Sequence, residues 1–305
     1  MHDIVIIGAG PAGLTAAIYA RRANKSVLVI EKETFGGQIT YSPKVENYPG
    51  FTEISGSELG EKLVEQALAL GAEIELDEIV NIRDVGPYKI AQGAHGDYQG
   101  VAIIVAAGSR HRQLGVPREE ELVGHGVSYC ALCDGAFYKD KEIAVIGGGN
   151  TALQDAVLLS DLVKKLTVIQ NLAACTGEAR LVEILKKKPN VDFRFNTVVE
   201  SLEGEPELTG IELKNTESGA SEIFPVEGIF VAIGQQPDNE PFSSVCKLND
   251  YGYIVSDESA LTGTDGVFVA GDCRTKTVRQ VVTATGDGSA AALAACRYVD
   301  NKKQD

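Results

Sequence analysis

Cys130-Ala131-Leu132-Cys133-Asp134 places two thiols and a carboxylate in one short stretch. Cysteines at this spacing can close a disulfide within one turn. The thiolate, favoured by a nearby cation or a helix N-terminus, is the nucleophile. A buried carboxylate beside them holds its proton to higher pH and can protonate a departing thiolate. Two other readings compete: Asp134 could cap a helix, and the cysteines could form half of a zinc site. Zinc needs four ligands, but Cys175, Cys246, Cys273 and Cys296 are isolated, and His2, His95, His111 and His125 show no ligand spacing. No metal is therefore expected, and the other four cysteines read as buried or semi-buried fillers.

The elements that must position this dithiol are two similar units. The run from Glu142 to Ile146 reads as a strand and leads into the turn Gly147-Gly148-Gly149-Asn150-Thr151-Ala152. A helix over 151–162 and a strand over 166–170 follow. Near the start of the chain, Ile4 to Ile7 leads into Gly8-Ala9-Gly10-Pro11-Ala12-Gly13, then a helix over 14–22 and the strand Val27 to Glu31. Each is a β-turn-α-β unit, the mononucleotide half of a doubly wound sheet. The offsets agree: Glu31 lies 18 residues beyond Gly13, and Gln170 lies 18 beyond Ala152. Further strands end in small-residue turns at Ala106-Ala107-Gly108, at Gly234 and at Gly271-Asp272, and 284–298 reads as a helix. The expected fold class is α/β, with two Rossmann-like dinucleotide-binding domains, the second inserted into the first. The FAD-type domain is expected over 1–113 and 240–305, the insert carrying the dithiol over 114–239. Gly115-Val116-Pro117 and Gln236-Pro237-Asp238 signal the joins.

In the first cradle, Gly8, Gly10, Pro11, Ala12 and Gly13 let the backbone approach a pyrophosphate, which the helix N-terminus attracts. Glu31, followed by Lys32, stands where an acid accepts hydrogen bonds from ribose hydroxyls. That motif does not separate FAD from NAD. Gly36-Gly37-Gln38 and the turn opened by Asn47 suit the edge of a flavin ring, Gly271-Asp272 could bind a ribityl hydroxyl, and Ala107 and Gly108, in their small-residue turn, are further candidate FAD contacts. Two dinucleotide cradles with a dithiol ahead of the second imply two-electron chemistry between a bound dinucleotide and a sulfur pair, hence a flavin-dependent disulfide reductase.

Composition narrows the partners. The net charge of −15 repels nucleic acid and anionic membranes. No apolar run reaches the ~20 residues of a membrane span. Met1-His2-Asp3 runs directly into a strand, so no signal peptide is expected. Six cysteines in 305 residues fit reduced cytoplasmic thiols. Basic pairs and runs, Arg21-Arg22 and Lys186-Lys187-Lys188, read as solvated helix ends or as docking patches for an acidic electron carrier.

Several stretches together resemble the low-molecular-weight thioredoxin reductase family over nearly the whole chain: GAGPAGLTAAIYARR, GGQIT, VENYPGF, CALCDG, VIGGGNTA, FVAIG, FVAGD and RQVVTA. The resemblance implies FAD on the first cradle, with Asp272 and Arg279-Gln280-Val281 around the flavin. It implies a homodimer, and a rotation of the inserted domain that exposes the dithiol to thioredoxin or a thioredoxin-like protein. It also implies that Cys130 attacks the substrate, Cys133 faces the flavin and Asp134 serves as acid–base group. Ala106-Ala107-Gly108 departs slightly from the usual Ala-Thr-Gly. The larger glutathione-reductase-type enzymes fit poorly, because 34–40 holds no cysteine and no histidine follows His125.

The second cradle, Gly147, Gly149, Asn150, Thr151 and Ala152, can hold a pyrophosphate, but its selector departs from the NADPH-dependent pattern. An acid after the next strand binds the ribose of NAD, and arginines bind the phosphate of NADP. NADPH-dependent members place His-Arg-Arg here; this chain has Gln170-Asn171-Leu172, and its next cation is Arg180. Each lost hydrogen bond to a charged phosphate removes ~1.5–3 kcal/mol. Three readings remain open: NADH, reduced ferredoxin acting at the flavin, or a second FAD in the vacant cradle. A donor other than NADPH is expected, ferredoxin ahead of NADH, although ferredoxins are themselves usually acidic. The alternatives are an NAD(P)H-dependent thioredoxin reductase and a diflavin electron-transfer protein serving one dedicated partner.

Overall fold

The structure, a computed structural model, describes residues 1–42 and 45–303. It divides into two compact units, Met1–Arg110 with Gln236–Asp305, and His111–Gln235.

In the first unit a parallel core of strands runs Glu73–Leu76, Val27–Glu31, His2–Ile7, Asp97–Val105. The long strand Asp97–Val105 serves two neighbours along one edge. Its first half pairs antiparallel with Lys89–Gly93, which pairs with Ile79–Asp84; its second half pairs parallel with Val267–Val269. Parallel strands covered on both faces are apolar throughout rather than alternating. Ile4, Val5, Ile6, Val27, Leu28, Val29 and Ile30 are accordingly all buried. Helices α1 (Pro11–Arg22) and α2 (Gly56–Ala69) belong to this unit.

The second unit holds a parallel sheet in the order Val191–Arg194, Lys165–Ile169, Glu142–Ile146, Gly228–Val231, Val127–Ser128. A three-stranded antiparallel meander, Thr197–Glu203, Gly210–Asn215 and Ser221–Pro225, accompanies it. Its helices are the short α3 (Ala131–Asp134), α4 (Asn150–Ser160) and α5 (Ala179–Lys186). The last helix, α6 (Val281–Lys302), returns to the first unit and packs along α1. Among the described residues no helix is long and apolar enough to cross a membrane.

The units meet at 110/111 and 235/236, a few residues before the joins expected at 113/114 and 239/240. Local contacts account for the difference. His111 stacks on Tyr129, the Arg112 N–H donates to the Gly234 carbonyl and the Gln113 side chain donates to Glu120, which ties 111–113 to the second unit. Buried Asn239 donates to the carbonyls of Gly252 and Cys273, which ties the segment after 235 to the first unit. Helices also begin earlier than periodicity indicates: α1 starts at Pro11 and α6 at Val281. Proline is favoured at the first helical position, and Gln280 and Thr283 form a reciprocal cap.

Candidate active site: a dithiol and two nucleotide cradles

Cys130 and Cys133 form a disulfide with their Cα atoms 5.3 Å apart. Cys130 is the N-cap of α3, and its Sγ accepts the Cys133 N–H at 3.1 Å. A donor aimed at this sulfur favours its thiolate once the bond is reduced. Asp134 ends α3 and stands at the N-cap of the 3-10 turn Gly135–Tyr138, where its side chain makes no capping hydrogen bond. Its Oδ2 accepts from the Ser128 hydroxyl at 2.6 Å, while the buried Oδ1 has no hydrogen-bond partner among the described residues. Burial pushes the Asp134 carboxyl above its ordinary value, and the Ser128 hydrogen bond opposes that rise. Next to Cys130, the Tyr129 hydroxyl donates to Glu119 and its ring stacks on His111 at 5.4 Å. Leu132, between the sulfurs, is exposed. Sequence reading missed Ser128 and Tyr129; the only signal was a hydroxyl residue closing a short buried strand.

The first cradle is built as its motif demands. Gly8 has φ 105°, and a Cβ there would lie 2.3 Å from the Ala106 carbonyl oxygen. Pro11 opens α1 behind Gly10, leaving the first-turn N–H groups facing out of the helix end. Glu31 is buried and accepts the N–H groups of Ala9 and Glu33, at 2.7 and 2.9 Å. The Gly36-Gly37 turn reaches the same place: Gly36 N–H donates to the Ala9 carbonyl, and Gly37 lies beside Gly10. Gln38 follows in a 3-10 turn, Gly37–Tyr41. Asn47 donates to Gln280, which joins two segments far apart in sequence. Ala107 packs at the edge of a core cluster and Gly108 adopts φ 71°. Gly271 adopts φ 78°, its N–H held by Asp287. Asp272 follows with Oδ1 buried and without a hydrogen-bond partner among the described residues, the Lys276 ammonium lying 3.9 Å away; burial raises its pKa and the nearby cations oppose the rise. Arg279 donates to the Asp272 carbonyl at 3.4 Å and lies over the Tyr253 ring. Val281 packs against Val45, Ile54 and Leu59. Lys32 is the exception: its ammonium pairs with Asp238 and Glu78. A buried carboxylate oxygen with no hydrogen-bond partner among the described residues, open glycine turns and a helix N-terminus together fit FAD.

The second cradle repeats the turn. Gly147 has φ 130°, and a Cβ there would lie 2.5 Å from the Ala232 carbonyl oxygen. Gly149 is the N-cap of α4, whose residues Asn150, Thr151 and Ala152 follow. Gln170 stands where Glu31 stands in the first cradle. It is buried, and its amide sits so close to Gly148 that a Cβ there would meet it at 2.7 Å. The stretch after it folds onto the turn: Thr176 and Gly177 N–H groups donate to the Gly148 carbonyl, at 2.8 and 2.9 Å. The Asn150 side chain accepts the Glu178 N–H. No Lys or Arg occurs from 171 to 179.

At the remaining cysteines burial outweighs every contact that favours the thiolate. Cys246 and Cys273 are buried, and burial pushes both thiols up to about 12. Burial also raises Cys296 and the half-exposed Cys175.

A C-x-x-C disulfide beside a buried carboxylate, on a chain with two dinucleotide cradles, defines a flavoprotein disulfide oxidoreductase. The chain belongs to the pyridine nucleotide-disulphide oxidoreductase family, whose model matches residues 2–288, and within it to the thioredoxin reductases. It is 41% identical over 305 residues to the thioredoxin reductase of Listeria monocytogenes and to that of Bacillus subtilis; each match covers 100% of this chain and 96% of the relative. The structure of thioredoxin reductase from Streptococcus pyogenes matches with a TM-score of 0.94 at 35% identity, covering 99% of each chain. The protein is an FAD-binding oxidoreductase of the thioredoxin-disulfide reductase type.

Proposed function

We propose that the Cys130–Cys133 pair reduces the disulfide of thioredoxin or a thioredoxin-like protein, with electrons from a donor other than NADPH, reduced ferredoxin first and NADH second. When bound, FAD supplies a two-electron couple; Gly8 to Gly13, Glu31, Asp272 and Arg279 to Val281 would hold it. In the reduced protein the Cys130 thiolate attacks one substrate sulfur, forming a mixed disulfide and expelling a thiolate that takes the Asp134 proton. Asp134 then accepts the Cys133 proton, and Cys133 attacks Cys130 Sγ. The Cys130–Cys133 bond closes, and the second substrate thiolate leaves and takes the proton from Asp134. Two electrons and two protons have passed to the substrate. The Cys133 N–H on Cys130 Sγ supports Cys130 as the attacking sulfur. A homodimer belongs to the same reading on the strength of the resemblance, and a cytoplasmic location on the strength of the cysteine usage.

The donor assignment is carried by one observation: the neutral Gln170 packs on Gly148, and no Lys or Arg stands between Gln170 and Arg180. The basic patches give ferredoxin limited help. Arg21 is spent on the carbonyls of Leu70 and Lys25, and Lys188 pairs with Asp161, while Lys186 and Lys187 remain exposed. The deciding measurement is an anaerobic titration of the flavin absorbance with NADPH, NADH and reduced ferredoxin, followed by insulin reduction with thioredoxin. Rapid stoichiometric bleaching by NADPH would overturn the donor reading and leave the dithiol chemistry intact. The nearest atom to a Cβ on Gly149 is Thr176 Oγ1 at 4.0 Å, so Gly149→Val should fold while filling the cradle. Ferredoxin-driven turnover should survive it; loss of that turnover in folded protein would count against electron entry that bypasses this cradle.

A further inference from the structure

We propose that Ser128 is the positioning residue of the dithiol site, holding Asp134 so that one carboxyl oxygen is fixed and the other is left to carry the transferred proton. The inference rests on the acid role given to Asp134 above and adds the group that directs it.

Ser128 closes the buried strand Val127–Ser128 and is 2% exposed. Its Oγ accepts the Cys130 N–H at 3.1 Å, which orients the hydroxyl. Its proton faces Asp134 Oδ2 at 2.6 Å; the Cys130 carbonyl, at 3.5 Å, is the poorer acceptor. A short O–H···O contact to a carboxyl oxygen is the geometry of a charge-assisted bond. With Oδ2 engaged as acceptor, the carboxyl proton belongs on Oδ1, the buried oxygen with no partner among the described residues. One hydroxyl thus ties the backbone at the first sulfur to the acid. No other side chain among the described residues forms a hydrogen bond to that carboxyl. Other titratable groups bear on the same site. They are Tyr138 in the turn after α3, whose hydroxyl feels Asp134 and Glu207; Asp155 on α4, which packs against α3; and the two thiols once reduced.

The hydroxyl stabilises the ionised carboxylate, so its removal moves the Asp134 pKa upward. Asp134 must be protonated to act, and turnover therefore falls as pH rises through that value. In Ser128→Ala the alkaline limb of the kcat profile for thioredoxin reduction should move to higher pH, and the plateau should drop about tenfold, the scale of one lost charged hydrogen bond. Ser128→Thr, which keeps the hydroxyl, should restore both. A Ser128→Ala profile superimposable on the wild type would overturn the proposal. Asp134→Asn separates the two ideas: if it keeps the wild-type limb and rate, the acid role itself fails, whatever Ser128 does. Should Ser128→Ala not fold, the wild-type protein decides. The infrared carbonyl band lost in Asp134→Asn should lie below the free-acid frequency, as for a C=O that accepts a hydroxyl. A band at the free-acid position would overturn the assignment.

Discussion

Cys130 and Cys133 differ in their hydrogen bonds, and that difference makes their substitution asymmetric. Cys130 Sγ receives a backbone N–H. Cys133→Ser should therefore leave an attacking thiolate that traps thioredoxin as a stable mixed disulfide, while Cys130→Ser should trap little. Both should abolish turnover and keep FAD, because the sulfurs lie in the unit His111–Gln235 and the first cradle does not. Better trapping by Cys130→Ser, read on a non-reducing gel, would reverse the two roles. Asp272 permits a second test at this scale. Burial raises its pKa in the folded chain, so folding binds a proton that the unfolded chain gives up. The stability this contributes to FAD-free protein is fully present below the unfolded pKa and is lost as pH rises through the folded one. Asp272→Asn should raise the thermal midpoint of the FAD-free protein at neutral pH. It should also weaken FAD roughly tenfold or more, the scale of one hydrogen bond to a charged group. Unchanged FAD affinity by fluorescence titration would remove Asp272 from the site.

Among the elements, the α1–α6 contact governs the first cradle. Gly288 on α6 faces the start of α1, and a Cβ there would lie 2.1 Å from the Ala12 carbonyl oxygen and 3.2 Å from the Ala16 nitrogen. Neither atom belongs to a flexible side chain. Gly288→Ala must therefore push the helices apart, at a cost of about 1–3 kcal/mol, the usual range for overpacking a core. Because Ala12 belongs to the nucleotide turn, the same substitution should loosen FAD. A urea midpoint and an FAD affinity both equal to wild type would show that the helices give way freely.

Across the whole molecule, the candidate FAD residues come from 8–13, 31–38, 47, 107–108 and 271–281, all within the unit Met1–Arg110 with Gln236–Asp305. That unit is assembled from both ends of the chain, so FAD should stabilise it only when both ends are folded. Saturation should raise the thermal midpoint of FAD-free protein, with about 2.7 kcal/mol gained at a hundredfold excess over Kd. Calorimetry showing no dependence on FAD concentration would contradict a site drawn from both ends.

What could be read from the sequence alone was chemistry set by short spacing. A glycine turn between strand and helix, two cysteines within one turn, and an acid closing the next strand all act through neighbouring backbone, so the two cradles, the disulfide and the position of Glu31 were legible. So was the neutrality of Gln170, because charge belongs to residue type. The tertiary structure decided which distant groups meet these residues. Lys32 is drawn to Asp238 rather than left beside Glu31, and Asn47 meets Gln280. The stretch after Gln170 folds onto Gly148, and the Ser128 hydroxyl selects one oxygen of Asp134. These contacts depend on how strands register and helices pack over tens of residues. Burial follows from the same packing, and burial sets whether a carboxylate keeps its proton. Motif spacing says which atoms are near in the chain; packing says which of them water no longer reaches.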